Sequence, residues 1–167
     1  MGWLSVVGRD YQGDVALLEV EVTELIHRAM NAVNSAIVYR LGHGGLHPAD
    51  DLPSRDGMCD CSGFVSWLIG RDRRPQKDWK WWLSTDSIYD DAIGPQQLFT
   101  KIPAPVAGCI GVYPDHGGKQ GHVALIVDPA TWTIIDCSHS QNGIRQHVGK
   151  YWATTPRVIF CVPKVTP

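Results

Sequence analysis

The sequence lacks the segments that mark a secreted or membrane-bound protein. Its N-terminus has no cationic region followed by a continuous apolar stretch and a small-residue cleavage site, so we expect no signal peptide. No run of residues approaches the roughly 18 apolar residues that a membrane-spanning helix needs. We therefore expect no membrane association, and a protein that works in the cytoplasm or leaves the cell by a route that needs no such signal.

Charge of either sign is also scarce. Charged residues make up 19% of the 167 residues, and the formal net charge is −2. This balance excludes a nucleic-acid surface built on bulk positive charge, so we expect no nucleic-acid partner. The one basic cluster in the sequence is formed by Arg71, Arg73 and Arg74, which we expect on a solvated loop after a helix.

Linkers, internal repeats and low-complexity tracts are missing as well. Hydrophobic residues make up 44% of the chain, which is enough for a sizeable core at this length. We therefore expect one domain that covers residues 1–167.

The cysteines are not spaced as ligands of a structural metal. Their number, five, is odd, which suits a reducing compartment or a fold that does not depend on disulfides. Cys59 and Cys61 flank a single residue, whereas structural zinc sites usually pair cysteines about two to four residues apart, and no second pair follows. We expect no metal and no cofactor. A metal site would have to draw its further ligands from Cys109, Cys137, His122 and His139.

A cysteine at a predicted helix start is the most informative feature that is present. Residues 60–65 (DCSGFV) continue into an apolar run that stops at Gly70, a pattern that predicts a short buried helix with Cys61 in its first turn. The positive end of a helix favours a thiolate. The alternative is a buried cysteine that acts as a small hydrophobic residue.

A histidine suited to act as a base begins the strand-like run of residues 121–128 (GHVALIVD). Nucleophilic catalysis by cysteine needs a base that takes the thiol proton. Cys61 and His122 lie far apart in the sequence, as the nucleophile and base of cysteine hydrolases often do.

These segments resemble the NlpC-type family of cell-wall cysteine peptidases and amidases, in the papain-like superfamily. The resemblance rests on residues 60–65, on residues 121–127 (GHVALIV), and on residues 133–138 (TIIDCS) followed by Gly143-Ile144. Residues 39–45 (YRLGHGG) are similar to the tyrosine and double-glycine segment that precedes the nucleophile in the family. Together the similar segments span about residues 31–144.

The resemblance implies a role for each matching residue. Cys61 is the nucleophile, His122 is the general base and then the acid, and Tyr39 helps to form the oxyanion region with the backbone N–H of Cys61. Family members commonly carry a second histidine that orients the first; here a longer hairpin puts Asp136 in that place, and His139 is the alternative. We favour Asp136, because a carboxylate can accept the imidazole N–H and stabilise the imidazolium.

The order of the predicted elements indicates an α+β fold. Residues 15–34 carry a helical apolar stripe, and residues 42–57 form a loop rich in Gly, Pro and Asp. Short runs rich in Val and Ile follow and predict an antiparallel sheet covered by the nucleophile helix. These predicted strands are residues 109–113, 122–127, 133–137, 144–148 and 157–162. The resemblance implies a papain-like arrangement of these parts.

The resemblance implies an enzyme that cleaves an amide bond, most often in peptidoglycan stem peptides, through an acyl-thioester intermediate. A phage particle, a secretion apparatus or lysis would then deliver it to the wall. Two alternatives are open: a papain-like thiol acyltransferase or deamidase acting on an intracellular lipid or protein, and a non-catalytic binding module. Whether an inhibitor or immunity protein silences the thiol is also open. Trp79, Trp81 and Trp82 are either a wall of the substrate cleft or a buried aromatic cluster.

Overall fold

Three α-helices precede the main sheet in the part of the chain that the structure describes, residues 12–77 and 79–164 of a computed structural model. The helices are α1 Gln12–Ala32, α2 Cys61–Leu68 and α3 Thr85–Ile93. The strands are β1 Val38–Tyr39, β2 Met58–Cys59, β3 Phe99–Ile102, β4 Ile110–Tyr113, β5 His122–Asp128, β6 Thr133–Ser138, β7 Gly143–Val148 and β8 Ile159–Pro163. In these residues no helix is both long enough and apolar enough to cross a membrane.

The main sheet has six strands in the order β3-β8-β4-β5-β6-β7, and each neighbouring pair is antiparallel. The two short strands β1 and β2 form a separate parallel pair. The expected α+β class with an antiparallel sheet is thus confirmed. Each strand expected from an apolar run is present, with its ends moved by one or two residues.

Both faces of the central strand β5 are covered, which explains its uninterrupted apolar sequence. On one face Val123 and Leu125 belong to a core that includes α2, α3 and the end of α1. On the other face Ala124 and Ile126 pack with Trp152, which a short 3₁₀ helix, Lys150–Ala153, places over the sheet.

Helix α2 is buried along its whole length and begins with a well-formed cap. The Asp60 side chain accepts a hydrogen bond from the Gly63 N–H at 2.7 Å, as an N-cap residue does. A Cβ at Gly63 would lie 2.4 Å from the His43 carbonyl oxygen, and one at Gly45 would lie 2.6 Å from the Gly63 carbonyl oxygen. The loop before Cys61 therefore contacts α2 backbone to backbone, which only glycine allows.

Helix α3 and strand β3 were not expected from the sequence. Ser84 and Ser87 cap α3 reciprocally through their side chains. At the other end of the helix, the buried Asp91 carboxylate accepts the N–H groups of Gln97, Leu98 and Phe99 at 2.8–2.9 Å. One side chain thus fixes the turn from α3 into β3.

Candidate active site

Cys61 is the first residue of α2, as the sequence predicted. Its amide lies in the first helical turn, where N–H groups have no partner within the helix. The first helical hydrogen bond runs from the Phe64 N–H to the Asp60 carbonyl. The Cys61 thiol and amide therefore both stand at the positive end of the helix.

The negative charge of Asp60, next to Cys61, is compensated by a buried arginine. Arg73 Nη1 and Nη2 lie 3.0 and 3.2 Å from the two Asp60 carboxylate oxygens, and Arg73 is only 1% exposed. The same guanidinium donates to Ser62 Oγ at 2.8 Å. Our expectation that Arg73 lies on a solvated loop was wrong, because its charge is needed to pair the buried N-cap carboxylate. Arg74, by contrast, is exposed and pairs with Asp72.

His122 and Asp136 meet on neighbouring strands, β5 and β6. The His122 Nε2 lies 2.7 Å from Asp136 Oδ2. The charge of Cys61 acts on the same imidazole, so the thiol lies close to the ring. The structure therefore brings Cys61, His122 and Asp136 close together.

The surroundings of His122 favour its protonated form. Burial disfavours the charged imidazole, but the hydrogen bonds with Asp136 and Cys61 and their negative charges outweigh it and raise the pKa of His122 to about 10. The ring also stacks on Trp152 with 5.9 Å between ring centroids, and Tyr113 packs at 6.3 Å. These aromatic rings exclude water from one side of the imidazole.

Asp136 has a second imidazole partner that sequence reasoning missed. His147 Nε2 on β7 lies 3.1 Å from Asp136 Oδ1. Burial raises the pKa of Asp136, but the hydrogen bonds from His122 and His147 reverse the effect and lower it below its ordinary value. The register of β6 and β7 brings His147 to Asp136, and this register cannot be read from the sequence.

His139, the alternative orienting residue, lies against Tyr39 with 5.9 Å between ring centroids and perpendicular ring planes. The Tyr39 hydroxyl oxygen accepts a hydrogen bond from Gln120 Nε2 at 3.2 Å. Burial raises the pKa of Tyr39, and the nearby charge of Cys61 raises it further. The tyrosine hydroxyl is thus protonated close to Cys61.

A groove of about 680 Å³ opens over Cys61. Its floor includes Cys61, Ser62 and Arg73. One wall is formed by Trp82, Ser84, Thr85 and Asp86, and the other by residues 115–120, which include His116, Lys119 and Gln120. Of the three neighbouring tryptophans, Trp82 lines the groove and covers Arg73 at 4.6 Å, whereas Trp79 is buried in the core. The expectation of a buried aromatic residue is thus confirmed for Trp79, and Trp82 lines the groove.

The cysteines are all free and buried. Cys59 donates its thiol to the Asp60 carbonyl oxygen at 3.2 Å, and Cys137 donates to the Cys59 carbonyl oxygen at the same distance. A hydrogen bond with Cys137, together with burial, raises the pKa of Cys59 well above its ordinary value. Cys59 is therefore an unreactive neighbour of Cys61. Among the described residues, no three His, Cys, Asp or Glu side chains are grouped to hold a metal ion.

Comparison with known proteins supports the assignment of the fold. No family model matches the sequence, and no curated protein matches it either. The structure is similar to the solved structure of NlpC2 from Trichomonas vaginalis, with a TM-score of 0.52 and 15% sequence identity. The match covers 100% of this chain and 51% of that one, so the chain spans about half the length of the solved protein. At this identity the likeness shows that the chain has an NlpC-like fold.

Proposed function

We propose that the protein is a cysteine hydrolase that cleaves an amide bond with Cys61, His122 and Asp136 in a papain-like arrangement. The observation that carries the proposal is the position of the helix-start thiol of Cys61, which lines an open groove and lies close to an imidazole held at 2.7 Å by a buried carboxylate. A scaffold protein has no physical need for this arrangement.

The proposed reaction has two halves. The Cys61 thiolate attacks the amide carbonyl carbon, and protonated His122 gives its proton to the departing amine, which leaves an acyl thioester. His122 then takes a proton from water, and the water oxygen attacks the thioester carbonyl carbon. The bond from this carbon to the Cys61 sulfur breaks, which releases the carboxylic acid and restores the thiolate. Asp136 keeps the His122 ring oriented and stabilises its charged form in both halves.

We propose two donors for the developing oxyanion. One is the Cys61 N–H at the start of α2, and the other is the Tyr39 hydroxyl, which lies close enough for the charge of Cys61 to act on it. Because the Tyr39 oxygen accepts a hydrogen bond from Gln120, its own hydrogen is left to donate elsewhere. One oxyanion donor is worth about 3 kcal/mol of barrier.

A peptide fits the groove better than a lipid. Its walls carry hydroxyl, carboxylate and amide groups from Ser84, Thr85, Asp86 and Gln120, which suit the polar backbone of an extended peptide. An acyl chain would need an apolar tunnel instead. The substrate we propose is a peptidoglycan stem peptide, which follows from the resemblance of the segments around Cys61 and His122 to NlpC-type enzymes.

We expect Cys61→Ala and Cys61→Ser to abolish hydrolysis of purified muropeptides, because no other thiol faces the groove. Mass spectrometry of the products would show amide cleavage as the gain of one water. Cys59→Ser is the matched control and should keep most of the activity, since its thiol is buried and hydrogen-bonded. Activity lost with Cys59→Ser and kept with Cys61→Ser would move the nucleophile and refute the assignment.

A further inference from the structure

We propose that His147 is a positioning residue of this site, which holds the Asp136 carboxylate in the orientation that receives His122. The inference rests on the proposed function, because it assigns a role within the same site. It adds a fourth side chain that the resemblance to NlpC-type enzymes does not supply.

The carboxylate is shared by two imidazoles. Asp136 is 1% exposed, so both of its oxygens need partners inside the protein. Oδ2 lies 2.7 Å from His122 on β5, and Oδ1 lies 3.1 Å from His147 on β7. The strand that carries Asp136 runs between the two strands that carry the histidines, so the carboxylate is held from both sides.

The cation nearest to Asp136 in the strand register does not hold its carboxylate. Arg145 is directly opposite Asp136 in the pairing of β6 and β7. Its Nη1 donates to the Ile144 carbonyl oxygen at 2.8 Å. The groups whose charges act on His147 are Asp136 on β6 and His122 on β5, and the backbone of Val148 also contacts the ring. His147 is thus the partner that fixes the second oxygen.

Loss of His147 would lower the reactivity of the proposed nucleophile, Cys61. A buried carboxylate with one unpaired oxygen either turns toward another donor or takes up a proton. In the first case His122 loses the hydrogen bond that favours its protonated form, and in the second it loses the charge that does so. Either change weakens the cation beside Cys61. His147 is 21% exposed at its side chain, so a substitution there leaves no large cavity in the core.

The first test needs no substrate. The rate of Cys61 alkylation by iodoacetamide at pH 6.5 is measured by peptide mass mapping for the wild type, His147→Leu, His147→Gln and His147→Asn. We expect His147→Leu to react about tenfold more slowly, the lower end of the loss seen when a partner that orients a metal-bound histidine is removed. Gln can reach Asp136 with an N–H group and should restore the rate to within about twofold, whereas the shorter Asn should not.

The controls separate the possible failures. Gln146→Ala changes an exposed neighbour on the same strand and should leave the rate unchanged. If His147→Leu does not fold, the comparison of Gln with Asn decides the question, and equal rates for these two variants overturn the inference. If wild-type Cys61 reacts no faster than the other four cysteines, the proposed function itself fails. If Cys61 is selectively labelled and His147→Leu reacts at the wild-type rate, the role of His147 alone is refuted.

The second test separates positioning from binding. With a muropeptide substrate, we expect His147→Leu to lower kcat about tenfold with little change in KM, because His147 touches the catalytic carboxylate and not the groove. A rise in KM at constant kcat would contradict the proposed role.

Discussion

A single carboxylate makes the largest favourable contribution to the charged form of the proposed base. The hydrogen bond with Asp136 is the largest of the effects that raise the pKa of His122 to about 10 against the opposing effect of burial, and the effects of Cys61 and the charge of Asp136 add to it. A thiolate attack that ends in proton transfer to the amine needs His122 protonated. The proposed enzyme should therefore lose activity at high pH, as His122 loses its proton.

Asp136→Asn should move this alkaline limit to lower pH. Asparagine keeps an oxygen near His122 Nε2 but removes the negative charge, so the pKa of His122 falls, by about one to three pH units for a charge at this distance. The pH dependence of kcat/KM reports this value for the free enzyme. We also expect kcat to fall by about 10²-fold or more, as in other triads.

The alternative orienting residue provides the comparison. His139→Ala should have the smaller effect on kcat and should leave the alkaline limit in place, because the ring packs on Tyr39. An unchanged alkaline limit in Asp136→Asn, or a shift of the limit in His139→Ala, would give the orienting role to His139.

At the scale of single residues, the sequence predicted what is encoded locally. The helix-start position of Cys61 follows from the adjacent cap residue Asp60 and the apolar run after it. Arg73 and His147 could not be predicted in the same way. Their roles depend on which distant segment lies opposite, and neither the burial of an arginine nor the register of two strands is visible in residue types.

At the scale of elements, apolar runs predicted strands and polar capping networks were overlooked. The β5 strand is apolar because both of its faces are covered. The α3 helix has a mostly polar sequence, and β3 has four residues. Both depend on hydrogen bonds between backbone N–H groups and serine or aspartate side chains, which a search for hydrophobic periodicity does not detect.

Asp91→Ala should destabilise the protein strongly. The substitution leaves three backbone N–H groups, two of them in buried residues, without their acceptor. We expect a loss of about 3 kcal/mol or more in the free energy of unfolding, from the cost of unpaired buried donors. Urea denaturation with linear extrapolation measures it.

Asp90→Ala is the matched control for this variant. Asp90 is the exposed neighbour on the same helix, and its substitution should change the free energy of unfolding by less than about 0.5 kcal/mol. Equal stabilities of Asp91→Ala and Asp90→Ala would show that the turn into β3 does not depend on the carboxylate.

At the scale of the whole molecule, the two walls of the groove are joined to each other. Asp86 on α3 accepts the Asp115 N–H at 2.8 Å, and Asp115 in turn accepts the Gly121 N–H one residue before His122. The helical wall is therefore tied through two hydrogen bonds to the strand that carries the proposed base.

Asp86→Ala should loosen this connection. We expect KM to rise about fivefold with a smaller change in kcat, which corresponds to about 1 kcal/mol for one net hydrogen bond. The Asp115 amide should also exchange faster with deuterium, a measurement that needs no substrate. Asp86→Asn keeps an acceptor oxygen and should lie between the alanine variant and the wild type. Equal exchange rates of the Asp115 amide in all three proteins would show that Asp86 does not stabilise the connection between the two walls.

The proposed nucleophile and base belong to opposite halves of the chain. Cys61 lies on a helix before α3, whereas His122, Asp136 and His147 lie on strands after β3, and an exposed turn at residues 94–95 separates these halves. A chain cut at this turn would yield two fragments, and neither would hold both members of the pair. If mixing the fragments restored the reactivity of the Cys61 thiol, that reactivity would measure their reassociation without any added label. The two fragments could therefore serve as a split reporter.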